Sequence, residues 1–208
     1  RPLGLPVAAV GLAMAPGWRG LGGKGGDRVL TKAFTLAPGP GAIASLGAVP
    51  VFVGVTPQLT IDLEDLAAKA DQADVLLLSH MRGHLADMDA LMARCAARGI
   101  AVIGDCAQTM GAAWNGKPSG TQGRIGCFSC QTYKHINAGE GGLLITDDAE
   151  VAARAVLLSG SYMLYDRHAA APGPEVFEGL RYEQPNTSGR VDHLPREVFG
   201  AQGARAQQ

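Results

Sequence analysis

The chain has 208 residues, of which 47% are hydrophobic and 18% charged, a length and composition that suit a soluble globular fold with a real core. Its 18 Lys and Arg are balanced by 19 Asp and Glu, which argues against nucleic-acid binding and against a polybasic membrane patch. No apolar run approaches the ~20 residues of a membrane-spanning helix. The four scattered cysteines favour a reducing cytoplasm over a disulfide scaffold.

The two ends of the chain predict a fragment. The first residue is Arg1 rather than a methionine, and no helix or strand is predicted in the Gly-, Ala- and Pro-rich residues 1–26. Several prolines and Gly173 interrupt the pattern after residue 160. We therefore expect a large domain, incomplete at its N-terminus, over residues 1–160. Residues 161–208 are expected to form a linker and the truncated start of a C-terminal domain that is otherwise missing.

Between these ends, apolar runs and helical spacings alternate. In chain order they predict strand 28–34, helix 42–46, strand 49–53, helix 61–70, strand 74–79, helix 87–98, strand 100–104, strands 126–130 and 142–146, and helix 149–159. Residues 75–78 are uninterrupted apolar residues, as in a strand buried on both faces. Gly99 follows the helix as a C-terminal glycine should. The alternation predicts an α/β fold, a three-layer sandwich around a mostly parallel sheet.

Four polar side chains are expected to converge on one edge of that sheet. Ligands of open parallel sheets bind beyond the carboxyl ends of the strands. Asp105 and then Gln108 follow one predicted strand, while Ser129 and then Lys134 follow another. Each has a simpler alternative, since Asp105 could cap a helix and Lys134 could be a solvated surface charge. Only the combination of order and spacing favours a functional site.

Two metal-like spacings are weaker candidates. Cys127 and Cys130 are three apart, but no second pair accompanies them and a strand would direct them to opposite faces. His80 and His84 are four apart, as in a helical zinc site, but Gly83 between them favours a loop. No metal is predicted.

The order of these residues resembles the DegT/StrS-type sugar aminotransferases, which have the fold type I architecture. Residues 105–112 are similar to that family's Asp-Ala-Ala-Gln-x-x-Gly-Ala stretch. Phe128 and Ser129, followed by Lys134 and by residues 139–142, resemble its Phe-Ser, Lys and Gly-Glu-Gly-Gly block. Residues 80–88 resemble its His-x-x-Gly-x-x-Ala-Asp-Met segment, and the likeness extends over roughly residues 20–195.

The resemblance implies pyridoxal 5′-phosphate (PLP) as cofactor. Lys134 would carry it as an internal Schiff base and then shuttle a proton. Asp105 would pair with the pyridine nitrogen, and Ser129 would bind the phosphate. Gln108 would lie near the ring and Phe34 would stack on it, although simple core packing of Phe34 stays open. The family's Gly-Thr or Gly-Ser phosphate loop has no convincing equivalent within residues 1–26.

The implied activity is transfer of an amino group from an amino acid, expected to be L-glutamate, to a nucleotide-linked keto-sugar. The resemblance further implies a cytoplasmic homodimer, with residues 186–190 reaching toward the neighbouring subunit. Two alternatives remain. One is a catalytically inactive or regulatory relative, which the missing phosphate loop favours. The other is a PLP-dependent sugar dehydratase, which the presence of Lys134 disfavours because dehydratase relatives can carry histidine there.

Overall fold

The computed structural model describes residues 3–160, 168, 171–183 and 189. Its principal strands are β1 Leu3–Val7, β2 Arg28–Lys32, β3 Val49–Val53, β4 Val75–Ser79, β5 Ala101–Asp105, β8 Ile125–Ser129 and β9 Gly142–Thr146, with a two-stranded hairpin of β6 Ala113–Trp114 and β7 Lys117–Pro118. Its α-helices are α1 Val10–Gly20, α2 Pro38–Ser45, α3 Leu63–Lys69, α4 Met88–Ala97 and α5 Ala149–Ser159. Asn186 and Arg190 lie outside the described residues.

The seven principal strands form one sheet in the order β1-β9-β8-β5-β4-β2-β3. The pairings from β8 through to β3 are all parallel, whereas β9 runs antiparallel to both of its neighbours. The predicted mostly parallel sheet is therefore confirmed. Because parallel strands end on the same side, the carboxyl ends of β2, β4, β5 and β8 form one continuous edge.

Helices cover both faces of the sheet. Met14 of α1, Ile43 of α2 and Val156 of α5 belong to one buried cluster with strand residues such as Leu77 and Ile103. Leu66 of α3 and Leu91 of α4 belong to a second cluster on the opposite face. This confirms the three-layer α/β sandwich. Within the described part of the chain, no helix has the length and apolarity needed to cross a membrane.

Aspartates begin three of the helices. The side chains of Asp62, Asp87 and Asp148 each accept hydrogen bonds from first-turn amides of α3, α4 and α5. Such side chains satisfy amides that have no acceptor within the helix and complement its dipole. Helices α3 and α4 therefore begin two residues and one residue later than predicted, whereas α5 begins at the predicted Ala149. In all three the aspartate is the cap.

The N-terminal segment contains a strand and a helix where none was predicted. Helix α1 contains Pro16 and consists largely of Gly and Ala, which have little apolar surface to signal a helix. Packing accounts for it, since a Cβ atom at Gly17 would lie 3.3 Å from Ile125 and one at Gly20 would lie 3.1 Å from Val151. Small residues thus allow α1 to approach the sheet and α5 closely.

Part of the segment after residue 160 packs on the same core. A 3-10 turn covers Pro174–Phe177, and the side chains of Phe177 and Leu180 are buried in the cluster shared with α1 and α5. Residues 171–183 are therefore attached to the helical layer of the large domain. The assignment of 161–208 to a linker and the start of another domain stays a prediction.

Candidate cofactor site

The carboxyl ends of β4, β5 and β8 bring the predicted polar residues to one edge. Ser79 is the register partner of Asp105, and Asp105 is in turn the partner of Cys127. Ser129 lies two residues beyond Cys127 on the same strand. Asp105 and Ser129 therefore lie at the carboxyl ends of neighbouring strands.

Asp105 is a buried carboxylate, with only 8% of its surface exposed. Its Oδ1 accepts a hydrogen bond from the amide of Ala107 at 3.2 Å. Burial raises the pKa of Asp105, while the Ala107 amide, the Ser79 side chain and the positive charges of Lys134 and Lys32 act against that rise. Against burial, the ionised form of Asp105 is therefore favoured first by the hydrogen bonds from Ala107 and Ser79 and then by the two positive charges.

Lys134 lies in a loop that closes on itself. The loop leaves β8 and returns to β9, and backbone hydrogen bonds join Thr132 N to Gly139 O and Cys130 N to Gly141 O, both at 2.9 Å. The Lys134 side chain is half-buried, and its charge lowers the pKa of Asp105. The structure thus brings the predicted lysine and aspartate within electrostatic range of each other.

Ser129 lies beside the first turn of helix α1. Ser129 is the register partner of Gly142, and a Cβ atom at Gly142 would lie 2.8 Å from the amide nitrogen of Val10. The first amides of a helix have no acceptor within it and attract anions. Ala9 caps this helix without any side-chain hydrogen bond. The α1 N-terminus, where Ala9, Val10 and Gly11 carry no side-chain hydroxyl, is therefore a candidate position for a phosphate.

Gln108 and Asp105 share a small cavity. It has a volume of about 20 Å³ and is lined by Leu36, Ser79, His80, Met81, Asp105, Ala107 and Gln108. The side-chain oxygen of Gln108 accepts a short hydrogen bond from the amide of Arg82. Phe34 is not among the lining residues, and its ring centroid lies instead 5.6 Å from the Lys32 ammonium nitrogen. Leu36, 47% exposed, is one of the apolar residues that line this cavity.

Two residues at this edge, Lys32 and His80, were not predicted from the sequence to belong to the site. Lys32 ends β2 with 1% of its surface exposed, although a lysine at a strand end ordinarily reaches solvent. His80 is buried, and this burial, followed by the charge of Lys32, lowers its pKa from 6.5 to about 4. In the sequence, the burial of Lys32 was indicated only by its position at the end of the strand β2.

A larger cavity lies at the opposite edge of the sheet. It has a volume of about 300 Å³ and lies between Gly120 and Asp148, where Arg124 and Asp148 form an ion pair. None of its lining residues is a lysine, histidine or cysteine. The lysine and histidine side chains described above lie at the edge with Asp105 instead.

Known proteins are similar to this chain in sequence. A sequence model of the DegT/DnrJ/EryC1/StrS aminotransferase family matches residues 7–168. The L-glutamine:scyllo-inosose aminotransferase of Streptomyces griseus is 34% identical over 177 residues, which are 84% of this chain and 42% of that protein. The UDP-N-acetyl-3-dehydro-alpha-D-glucosamine 3-aminotransferase of Acidithiobacillus ferrooxidans is 38% identical over 146 residues, 67% of this chain and 39% of that protein.

The fold is likewise similar to solved structures. The aminotransferase of Psychrobacter cryohalolentis matches with a TM-score of 0.83 and 28% identity, over 98% of this chain and 52% of that one. The chain therefore spans about half the length of this solved structure and about two fifths of the two curated relatives.

Proposed function

Because this chain belongs to the DegT/DnrJ/EryC1/StrS aminotransferase family, whose members depend on PLP, we propose that it carries the cofactor-binding part of a sugar aminotransferase. The enzyme would move an amino group from L-glutamate to a nucleotide-linked keto-sugar. The observation that supports this best is the buried Asp105 carboxylate within electrostatic range of Lys134, beside Ser129 and the α1 N-terminus.

The residues at this edge fit PLP. When bound, the cofactor supplies an electrophilic aldehyde and a ring that withdraws electrons from the carbon bearing the substrate nitrogen. Asp105 offers a buried carboxylate for a protonated ring nitrogen, and burial makes an unpaired charge there costly. Ser129 and the first amides of α1 offer hydrogen-bond donors to a phosphate. Gln108 and Phe34 are proposed to flank the ring.

Lys134 would act as both anchor and base. Its Nζ would hold the cofactor covalently and, when free of it, would move a proton between two carbons of the bound substrate. The closed loop between β8 and β9 limits how far the backbone beneath Lys134 can move. Asp105 holds a proton in place at the ring nitrogen and does not transfer it.

The relatives support the acceptor as a cyclic, hydroxyl-rich ketone. One relative is named for an inosose and another for a UDP-linked sugar. Attachment to a nucleotide and L-glutamate as donor belong to the proposal, and the Streptomyces griseus name gives L-glutamine instead. We further propose a cytoplasmic homodimer, as the family resemblance implies.

A second candidate is a catalytically inactive or regulatory relative. The observation that favours it is the absence of a side-chain hydroxyl from Ala9, Val10 and Gly11 at the α1 N-terminus. Lys134 and Asp105 favour the enzyme instead, since an inactive relative needs neither. A sugar dehydratase is the less favoured third possibility, because Lys134 is retained.

The test is covalent capture of the cofactor. Purified protein is mixed with PLP, reduced with borohydride and digested, and the labelled peptide is identified by mass spectrometry. We expect the label on Lys134 and its loss in Lys134→Ala, whereas Lys117→Ala, which removes an exposed lysine, should label like the wild type. Equal labelling of Lys134→Ala would refute the assignment. Glutamate and glutamine are then compared as donors with keto-sugars, and deoxygenated product would instead indicate the dehydratase.

A further inference from the structure

The ammonium group of Lys32 is buried beneath the candidate cofactor site. Lys32 is 1% exposed, and its Nζ donates a hydrogen bond to the carbonyl oxygen of Leu59 at 3.0 Å. The same nitrogen lies 5.6 Å from the centroid of the Phe34 ring. Among the described residues, no carboxylate lies within ion-pair distance of it. A buried cation with so few partners is costly, so its presence calls for a reason.

The contact with Leu59 holds the ammonium group in place. Leu59 has a positive φ of 64° in a turn closed by hydrogen bonds from Thr56 N to Thr60 O and from Leu59 N to Thr56 O, both at 2.9 Å. A non-glycine residue in this conformation costs energy. The turn therefore covers Lys32 and presents a carbonyl to it.

Lys32 acts on two titratable groups at the neighbouring strand ends. Its positive charge lowers the pKa of Asp105, which follows β5, and the pKa of His80, which follows β4. With its pKa near 4, mainly because of burial, His80 is neutral at neutral pH. His80 therefore supplies no positive charge there. Burial lowers the pKa of Lys32 as well, and the charge of Asp105 acts against that fall, so Lys32 and Asp105 each favour the charged form of the other.

The remaining groups that face Asp105 are Lys134 and two thiols. Burial raises the pKa of Cys106 to about 11 and that of Cys127 well above its ordinary value, so both are uncharged at neutral pH. Lys134 also lowers the pKa of Asp105. Lys134, however, would change its bonding during the proposed reaction, whereas Lys32 is shielded from reactants and bonded to Leu59.

We propose that Lys32 is a positioning residue, a fixed buried cation that favours the ionised form of Asp105 whatever the bonding state of Lys134. The consequence for catalysis rests on the proposed function, because an ionised Asp105 balances the charge of a protonated ring nitrogen and accepts the stronger hydrogen bond from it. The charge coupling itself is a property of the cofactor-free protein. It therefore admits a test that does not depend on catalysis.

The test is an NMR titration of the cofactor-free protein labelled with ¹³C at the aspartate carboxyl carbons. The Asp105 signal is identified by its loss in Asp105→Asn. In Lys32→Met we expect the pKa of Asp105 to rise by about one pH unit, the scale of one charge at roughly 10 Å in a protein. Lys117→Met, which removes an exposed charge, is the matched control and should leave Asp105 unchanged.

An unchanged Asp105 titration in Lys32→Met would overturn the proposal. If that variant does not fold, Lys32→Gln keeps a hydrogen-bond donor for Leu59 without the charge and must give the same upward shift. The His80 signals provide a second readout, since its pKa should also rise when Lys32 is neutralised. Borohydride labelling of Lys134 in the wild type is scored separately, so failure of the proposed function and failure of the charge coupling give different results.

Discussion

Gly142 lies directly against Val10, so that a Cβ atom at Gly142 would be 2.8 Å from the Val10 amide nitrogen. Real Cβ atoms do not approach that closely, and the contact is with backbone rather than a flexible side chain. Gly142 is also the register partner of Ser129. This approach sets the first turn of α1 next to the serine proposed to bind phosphate.

Gly142→Ala is expected to displace α1 and weaken PLP binding. Overpacking of this kind costs about 1–3 kcal/mol of unfolding free energy. Urea denaturation and a PLP titration measure the two effects. Gly4→Ala is the matched control, since its Cβ atom would meet Leu143 at an ordinary 3.6 Å. Wild-type stability and affinity in Gly142→Ala would contradict the close approach.

His80 is expected to make the fold sensitive to acid. Its folded-state pKa is lowered from 6.5 to about 4 by burial and then by Lys32. The unfolded chain therefore binds the proton first, and stability falls by up to about 3 kcal/mol as the pH drops from 6.5 toward 4. Urea midpoints measured across this range should fall less steeply in His80→Gln.

His84→Gln is the control for that experiment, because His84 is exposed. It should keep the wild-type slope of unfolding free energy against pH. Identical slopes in His80→Gln and His84→Gln would show that His80 is not the buried neutral histidine described above.

Asp105→Asn is expected to stabilise the cofactor-free protein while impairing the enzyme. Burial raises the pKa of Asp105 above its ordinary 3.8. Stability contributed by a carboxyl with a raised pKa is present below the unfolded value and is lost as the pH rises through the folded value. Because Asp105→Asn has no carboxyl to ionise, it keeps this stability and should resist urea better than the wild type at neutral pH.

Transamination by Asp105→Asn should fall by about 100-fold or more, the scale on which losing an electrostatic partner acts. Asp89→Asn is a control of opposite sign, because Trp114 and Asn115 hydrogen-bond to Asp89 and lower its pKa. It should lose stability at neutral pH and leave turnover unaffected. Greater urea sensitivity of Asp105→Asn would contradict the buried-charge account.

The four cysteines are expected to be inert in the folded protein. All are buried, and burial raises the pKa of Cys95, Cys106 and Cys130 to about 11 and that of Cys127 well above its ordinary value. A rise of about two units lowers the thiolate fraction about 100-fold. A disulfide reagent should therefore react slowly with native protein and with four thiols after unfolding.

Ser45→Cys supplies an exposed thiol for comparison. In the native state, one thiol of that variant should react rapidly with the disulfide reagent. Rapid native reaction of the wild type would mean that at least one of its cysteines is accessible.

Strands and helices with continuous apolar patterns were predictable. The structure has β3, β9 and α5 at the predicted bounds, and β4 and α4 start one residue later than predicted. The β6–β7 hairpin was missed although Asn115 and Gly116, with φ of 48° and 77°, are the dipeptide that favours such a turn. Helix α1 was missed for a different reason, since its Gly- and Ala-rich sequence forms a helix through contacts with Ile125 and Val151.

The sequence by itself determined the alternation of strands and helices and the family. It thereby indicated that Asp105, Gln108, Ser129 and Lys134 lie near a common edge, because local patterning marks where parallel strands end. Only the tertiary structure decided that Lys32 and His80 are buried there and that the α1 N-terminus lies against Gly142. Burial and charge state depend on neighbours far apart in the chain, such as Leu59 over Lys32, and no local pattern encodes them.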